Sequence, residues 1–80
     1  MDLLEIGTRI QASRKLHGLS QKALAEHAAV SRYTIVKLEN GQASDVQLKT
    51  LLAILGELHL TVVVTELPVS GVGVLGDDHP

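Results

Sequence analysis

The sequence predicts a mainly α fold, in which four to five short helices form one compact domain and a single C-terminal β-strand follows. Three observations support this prediction. Apolar residues recur every three or four positions up to residue 58, which is the spacing of amphipathic helices. Serine and glycine stand where these segments start and stop, as caps do. The pattern then changes to strand-like alternation in HLTVVVTE, residues 59–66.

The first helix is predicted from about residue 2 to residue 16. Leu3, Ile6 and Ile10 recur at helical spacing. Gly18 follows as a C-terminal stop signal. The helix should therefore bury one apolar side.

The next two helices are short and are joined across AAVS, residues 28–31. Ser20 is the expected N-cap of the second helix and Ser31 that of the third, which Gly41 ends. Two short helices with so tight a turn form a unit of the helix-turn-helix kind. Ala25 is the small residue expected where the two helices cross.

The third helix is predicted to have one buried and one outward side. Val30, Ile35 and Leu38 should supply the buried contacts. A rotation of about 100° per residue then turns a polar set outward. This set comprises Arg32, Tyr33, Val36, Lys37 and Asn40. For Tyr33 the alternative is a half-buried core aromatic.

The fourth helix is predicted to follow Ser44 or Asp45, because Ser44 and Gln47 have the spacing of a capping box. Its expected apolar stripe consists of Leu48, Leu51, Leu52, Leu55 and Leu58, widened by Ile54. Gly56 lies within the stripe and should weaken the helix end by about 1 kcal/mol relative to alanine.

The strand raises the question of its partner, because a lone strand leaves its backbone groups unpaired. The simplest partner is the same strand of a second copy, paired about a two-fold axis. The dimerisation residues would then be Leu60, Val62, Val63 and Val64. The alternative is a hairpin with residues 69–75, although their glycines make a weak strand.

The chain is expected to divide into a helix-turn-helix domain over residues 1–58, a dimerisation strand over 59–67 and a flexible tail over 68–80. It shows no signal-peptide pattern and no apolar run long enough for a membrane span. It has no cysteine, which suits a reducing cytoplasm. We therefore expect a cytoplasmic protein.

Charge is distributed unevenly although the net charge is only -2. Residues 9–37 contain six basic residues and one acidic residue, whereas residues 38–80 contain one basic and six acidic residues. Such asymmetry fits a basic binding face and an acidic remainder. The alternative is that these charges merely solvate helix surfaces.

No set of side chains predicts catalysis or metal binding. No two of the four histidines lie three to five residues apart, and no cysteine is available as a ligand. Ser20, Ser31 and Ser44 fit helix caps better than nucleophiles. The sequence therefore predicts no enzyme, no cofactor and no metal site.

Four motifs carry a resemblance to a known family. EIGTRIQASRK, GLSQKALAEHAAVS, TIVKLENG and LKTLLAIL, within residues 5–58, resemble the Xre/Cro/C1-type helix-turn-helix repressors. The β-forming segment after LLAILGELHLTVVV is similar, more narrowly, to the HipB-type antitoxins. Those proteins pair with HipA-type kinase toxins and repress their own operon. The resemblance implies a lambda-repressor-like fold and a dimer on double-stranded DNA.

The resemblance implies roles only for residues that match. Arg32, Tyr33 and Lys37 occupy positions similar to base-reading sites, and Arg32 is the best candidate for guanine O6 and N7. Positions near the DNA backbone are those of Arg14, Gln21, Ser31 and Asn40. Arg14 would also pair with Glu39, tying helix one to the end of helix three.

Two positions depart from the family pattern. The turn usually has glycine where this chain has Ala29, and a left-handed backbone costs an L-residue about 1–2 kcal/mol unless the turn relaxes. Ser13 stands where a larger apolar residue is common. Neither change touches the predicted DNA face.

Two functions are therefore expected. The first is a dimeric repressor of a palindromic operator, as the antitoxin of a HipBA-like operon with a HipA-like kinase toxin as partner, or else as a stand-alone Xre-type repressor. The second is a protein-interaction module that neutralises a partner toxin with little DNA binding, which the negative net charge and the Val-rich strand would suit. Salt separates them, because binding through phosphates weakens steeply as salt rises.

Overall fold

Four helices form the part of the chain that the computed structural model describes, which is residues 2–68. They are α1 (Leu3–Leu16), α2 (Gln21–Ala28), α3 (Arg32–Glu39) and α4 (Leu48–Glu57). The prediction of a mainly α domain with four to five helices is confirmed. The first three helices begin at capping side chains, because Asp2, Ser20 and Ser31 each accept a backbone hydrogen bond from three residues further on.

The start of α4 differs from the prediction. Ser44 is not its cap; the N-cap is Gln47, whose side chain makes no capping hydrogen bond. Ala43 is buried in the core, and Asp45 accepts a hydrogen bond from Lys37. These two tertiary contacts hold the chain in a turn before the helix, so the capping box does not form.

Each of the four helices is followed, within two residues of its last residue, by a residue with a positive φ. These residues are Gly18, Ala29, Gly41 and His59. At the end of α2, the N–H of Val30 donates to the carbonyl of Ala25 at 2.9 Å, and the N–H of Ala29 donates to the carbonyl of Glu26 at 3.2 Å. This pair of bonds is the Schellman motif. The turn at Ala29 therefore does not relax: its φ is 57°, and alanine bears the strain that glycine would avoid.

The core lies where α3 packs against α1 and α2, and where α2 packs against α4. Its buried apolar residues are Ile10, Leu24, Ala25, Ile35, Leu38, Ala43, Ile54, Leu55 and Leu58. The predicted inward side of α3, marked by Ile35 and Leu38, is confirmed. Each large aliphatic side chain contributes about 1.5–3 kcal/mol through burial.

The predicted stripe of α4 is only partly buried. Leu55, Leu58 and Ile54 lie in the core, but Leu48 is 66% exposed and Leu52 45% exposed. A stripe this wide covers more of the helix surface than the neighbours of α4 in one chain can bury. The apolar stripe predicted on α4 is therefore present, but the core buries only part of it.

Gly7 permits a very close approach between α1 and α3. A Cβ atom at this position would lie 2.0 Å from the carbonyl oxygen of Leu38, at the end of α3. No side chain fits within that distance, so α1 can cross α3 only through glycine. This close approach sets the separation of the two helices.

Gly7→Ala should therefore destabilise the fold by about 2–3 kcal/mol, because the helices must move apart and the core between them loosens. Gly56→Ala is the matched control, since nothing lies within 4 Å of a Cβ added there. It should stabilise α4 by up to about 1 kcal/mol. The urea midpoints of the two variants, compared with the unsubstituted chain, measure both effects. Equal midpoints for the two variants would contradict the steric argument.

The C-terminal segment forms no strand among the described residues, where residues 60–68 have no regular secondary structure. Leu60 packs against the core, because the N–H of Leu60 closes the end of α4 on the carbonyl of Leu55 at 2.8 Å. Strand pairing between two chains stays a prediction. The alternative hairpin with residues 69–75, and most of the predicted tail, lie outside the described residues.

Candidate nucleic-acid interface

The outer side of α3 is the candidate interface. Ser31 starts the helix by accepting a hydrogen bond from the N–H of Thr34 at 3.1 Å. Ile35 and Leu38 anchor the inner side, which turns Arg32 and Tyr33 away from the core. Tyr33 is 68% exposed, so the alternative of a half-buried core aromatic is wrong.

The four residues predicted near the DNA backbone occupy different environments. Ser31 and Asn40 are exposed at the two ends of α3. Gln21, the first residue of α2, is half-buried beside the carboxylate of Glu39. Arg14 is buried. Three of the four therefore have accessible surface close to α3, and the fourth lies beneath them.

Arg14 and Glu39 form a buried ion pair that joins α1 to α3. The Nε and NH2 groups of Arg14 donate to the two carboxylate oxygens of Glu39, the second at 3.0 Å. Its NH1 group donates to the carbonyl of Leu19 at 2.9 Å. The hydrogen bond to Glu39 raises the pKa of Arg14, although burial opposes it. The contact between helix one and the end of helix three that the resemblance implied is thus present.

Glu39 is the centre of a larger network. The same carboxylate accepts hydrogen bonds from Gln11 at 3.3 Å and from Gln21 at 3.1 Å. Burial would raise the pKa of Glu39, but the hydrogen bonds from Arg14, Gln21 and Gln11 and the charge of Arg14 outweigh it and hold the pKa below 4.5, its ordinary value. The side chain is therefore an anion that collects three donors from two other helices.

This network reaches the surface through Gln21. Its amide nitrogen is held by Glu39, so its oxygen points to Arg32, whose NH2 group donates to it at 3.3 Å. The bond is long and exposed, which makes it easy to exchange for another acceptor. The guanidinium of Arg32 is therefore held in position, and its donors remain available to another acceptor.

Lys37 is held by two neighbours. Its Nζ lies 5.1 Å from the centroid of the Tyr33 ring, within the range of a cation–π contact. It also donates to both carboxylate oxygens of Asp45 at 3.1 Å. The hydrogen bond from Lys37 lowers the pKa of Asp45. Tyr33, Lys37 and Asp45 thus form an ordered row that continues from α3 into the following loop.

Sequence reasoning missed two residues of this region. No sequence pattern predicted a role for Gln11, because only the fold brings it beside Glu39. Asp45 was interpreted as a possible helix start. It lies eight residues after Lys37, and the end of α3 and a turn lie between the two residues. Helical periodicity therefore could not predict their contact.

The predicted dimerisation residues become more exposed along the chain. Leu60 is half-buried, whereas Val62, Val63 and Val64 are 49%, 76% and 95% exposed. A run of exposed β-branched residues is unusual on a monomeric surface. It leaves these residues available to a partner.

Two histidines that are distant in the sequence lie side by side in the structure. His17 and His59 come together, with ring centroids 5.7 Å apart, which their spacing in the sequence could not reveal. Within residues 2–68, no three side chains of the types that bind metals form a group able to hold an ion. None of the helices described there is long and apolar enough to cross a membrane.

Comparison with solved structures finds similar proteins. The restriction-modification controller protein C.AhdI from Aeromonas hydrophila is 30% identical, with a TM-score of 0.67, over 74% of this chain and 88% of its own length. SinR, a master regulator for biofilm formation, solved in complex with DNA, is 28% identical with a TM-score of 0.63, over 70% of this chain and 89% of its own.

A third structure, a HipA-HipB-O2-O3 complex, matches with a TM-score of 0.74 over 85% of this chain and 94% of the matched chain. Its identity is only 22%, so it shows a shared fold. No curated protein sequence matches significantly. The helix-turn-helix family HTH_3 matches residues 10–63, which is more than half of the chain and includes every residue of α2 and α3. The chain therefore belongs to the HTH_3 family of Xre/Cro/C1-type helix-turn-helix proteins.

Proposed function

We propose that this protein is a sequence-specific transcriptional repressor that places α3 in the major groove of DNA. The observation that carries the proposal is the outer side of α3, where Arg32, Tyr33 and Lys37 are held by neighbouring side chains. A helix of this width fits the major groove, where each base pair presents a distinct pattern of donors and acceptors. Family membership supports the same role.

Base readout is assigned to the three residues on that side. Arg32 can exchange the long bond to Gln21 for the O6 and N7 acceptors of guanine. Lys37 carries a second donor, and Tyr33 supplies a hydroxyl and a flat apolar ring beside it. These contacts specify sequence, whereas backbone contacts set the position of the domain on the duplex.

Backbone contacts are assigned to Gln21, Ser31 and Asn40, which lie at the starts of α2 and α3 and at the end of α3. Arg14 supports them from beneath: its donors hold Glu39, which in turn holds Gln21. The resemblance implies that Arg14 lies near a DNA phosphate, and the proposal includes this contact. The surface formed in this way requires no catalytic step and no cofactor.

We propose that the protein binds DNA as a dimer through residues 59–67. The exposed valines at 62–64 would pair with the same segment of a second copy, which satisfies their backbone groups. Two α3 helices related by a two-fold axis require a palindromic operator. Its half-sites should lie about 34 Å apart, one turn of DNA, or a multiple of this.

Within this class, an antitoxin is the narrower proposal. The fold match to a chain of the HipA-HipB-O2-O3 complex, which covers 85% of this chain and 94% of that one, supports it. The protein would repress its own promoter and bind a HipA-like kinase toxin. A stand-alone Xre-type repressor is the broader alternative.

A second candidate function is a protein-interaction module with little DNA binding. The exposed run Val62–Val64 favours it, because an apolar surface of this kind also suits a protein partner. The net charge of -2 is a further argument. The two candidates differ in what they predict for DNA.

Fluorescence anisotropy with a duplex from just upstream of this protein's own gene, against a scrambled duplex of equal length, tests the proposal. We expect selective binding that weakens steeply between two salt concentrations. Sedimentation of the complex should give two chains per duplex. Equal, weak binding to both duplexes would refute the repressor and favour the protein-interaction module. Selective binding by one chain per duplex would refute the dimer alone.

A further inference from the structure

An exposed carboxylate lies within the proposed DNA face. The side chain of Asp45 is 73% exposed, whereas that of Lys37, which donates to it, is 19% exposed. The anion is thus the outer member of the pair. A surface that binds phosphates gains nothing from such a group, because DNA carries one negative charge per about 1.7 Å of helix axis.

The pair changes what Lys37 offers to DNA. While Asp45 is ionised, the two charges cancel at long range, so the lysine adds little to the attraction for the phosphate backbone. The hydrogen bonds to both carboxylate oxygens and the ring of Tyr33 also hold the lysine in one position. Asp45 therefore lowers the non-specific attraction and orders a base-reading side chain.

We propose that Asp45 is a specificity-determining residue of the DNA-binding surface, an inference that rests on the proposed function. Non-specific complexes depend on phosphate contacts, so the negative charge of Asp45 lowers their affinity with no compensating gain. In the operator complex Lys37 faces a base edge, where the order imposed by Asp45 reduces the cost of binding. The carboxylate thus disfavours wrong sequences more than it disfavours the operator.

Asp45→Asn tests this proposal, because it removes the charge and keeps the size of the side chain. Affinity for a scrambled duplex should rise at least about threefold, with the slope of log K against log salt steeper by about one. Affinity for the operator should rise less or fall. The ratio of the two affinities should therefore decrease at least about threefold.

Glu57→Gln is the matched control, since it makes the same change of charge at the end of α4, where its carboxylate lies 4.0 Å from His27. It should leave the ratio and the salt slope unchanged. A second comparison introduces Asp45→Asn into the Lys37→Ala variant. The increase in salt slope caused by Asp45→Asn should be smaller there, because no lysine is released to bind a phosphate. A merely structural role of Asp45 would not produce this dependence on Lys37.

The outcomes separate the two proposals. If the unsubstituted chain binds the operator and scrambled duplexes equally, the proposed function fails. If it discriminates between them, but Asp45→Asn and Glu57→Gln give the same ratio and slope, only the role of Asp45 is refuted. Thermal unfolding of each variant ensures that both comparisons are made on folded protein.

Discussion

The double variant Arg32→Ala/Lys37→Ala is expected to lose selective DNA binding, with the operator affinity falling at least about a hundredfold. The variant removes two donors from the side of α3 that is proposed to read the bases, and each good contact to a base is worth about 1–3 kcal/mol of discrimination. The fold should be retained, because the exposed Arg32 and the partly exposed Lys37 lie outside the core. Anisotropy with operator and scrambled duplexes measures the loss.

Arg9→Ala/Lys15→Ala provides the control, because it removes two positive charges from exposed positions on α1. It should weaken binding to both duplexes to a similar extent and preserve their ratio. If the variant of α3 also preserves the ratio, α3 is not the helix that reads the bases. Binding of the toxin proposed as a partner should be unaffected by the α3 variant, which distinguishes loss of DNA recognition from loss of the fold.

Glu39→Gln is expected to destabilise the domain by about 3 kcal/mol, because it leaves the guanidinium of Arg14 buried without its counter-ion. The carboxylate accepts hydrogen bonds from Arg14, Gln11 and Gln21, and an amide offers one oxygen instead of two. Urea unfolding at neutral pH measures the loss. DNA binding should weaken as well, since Gln21 and through it Arg32 lose their positions.

The destabilisation should depend on pH. The folded-state pKa of Glu39 is held below 4.5, its ordinary value, so its ionised form contributes stability that is fully present above that value. This stability is lost as pH falls through the folded-state pKa. The gap in unfolding free energy between the unsubstituted chain and Glu39→Gln should therefore close on acidification below pH 4.5. A gap that stays constant down to pH 2 would contradict the assigned role of the anion.

Local features of the structure could be predicted from the sequence because they depend on neighbouring residues. The capping serines at 20 and 31 and the glycines that end α1 and α3 act within one turn of helix. The same holds for the two sides of α3, since Ile35 and Leu38 fix its rotation by their spacing. Even the strain at Ala29 could be anticipated, because the family that the sequence resembles usually has glycine at this position of the turn.

Predictions failed or had no basis where two distant segments meet. The predicted start of α4 was wrong because Ala43 is buried and Asp45 is bound to Lys37. A capping pattern in the sequence predicts neither of these features. The apolar stripe on α4 was predicted, but periodicity measures only how much apolar surface a helix offers, and Leu48 and Leu52 are exposed. How much its neighbours cover is a property of the packed chain.

The sequence by itself determined the class of domain, its mainly helical content and the residues presented on the outer side of α3, because these follow from short-range periodicity and capping. Only the tertiary structure decided how those residues are held. Glu39 gathers donors from α1 and α2, and Asp45 binds Lys37 across a turn. The tertiary structure likewise decided the close approach of α1 and α3 at Gly7. Each of these contacts depends on the distance between elements, which no local pattern encodes.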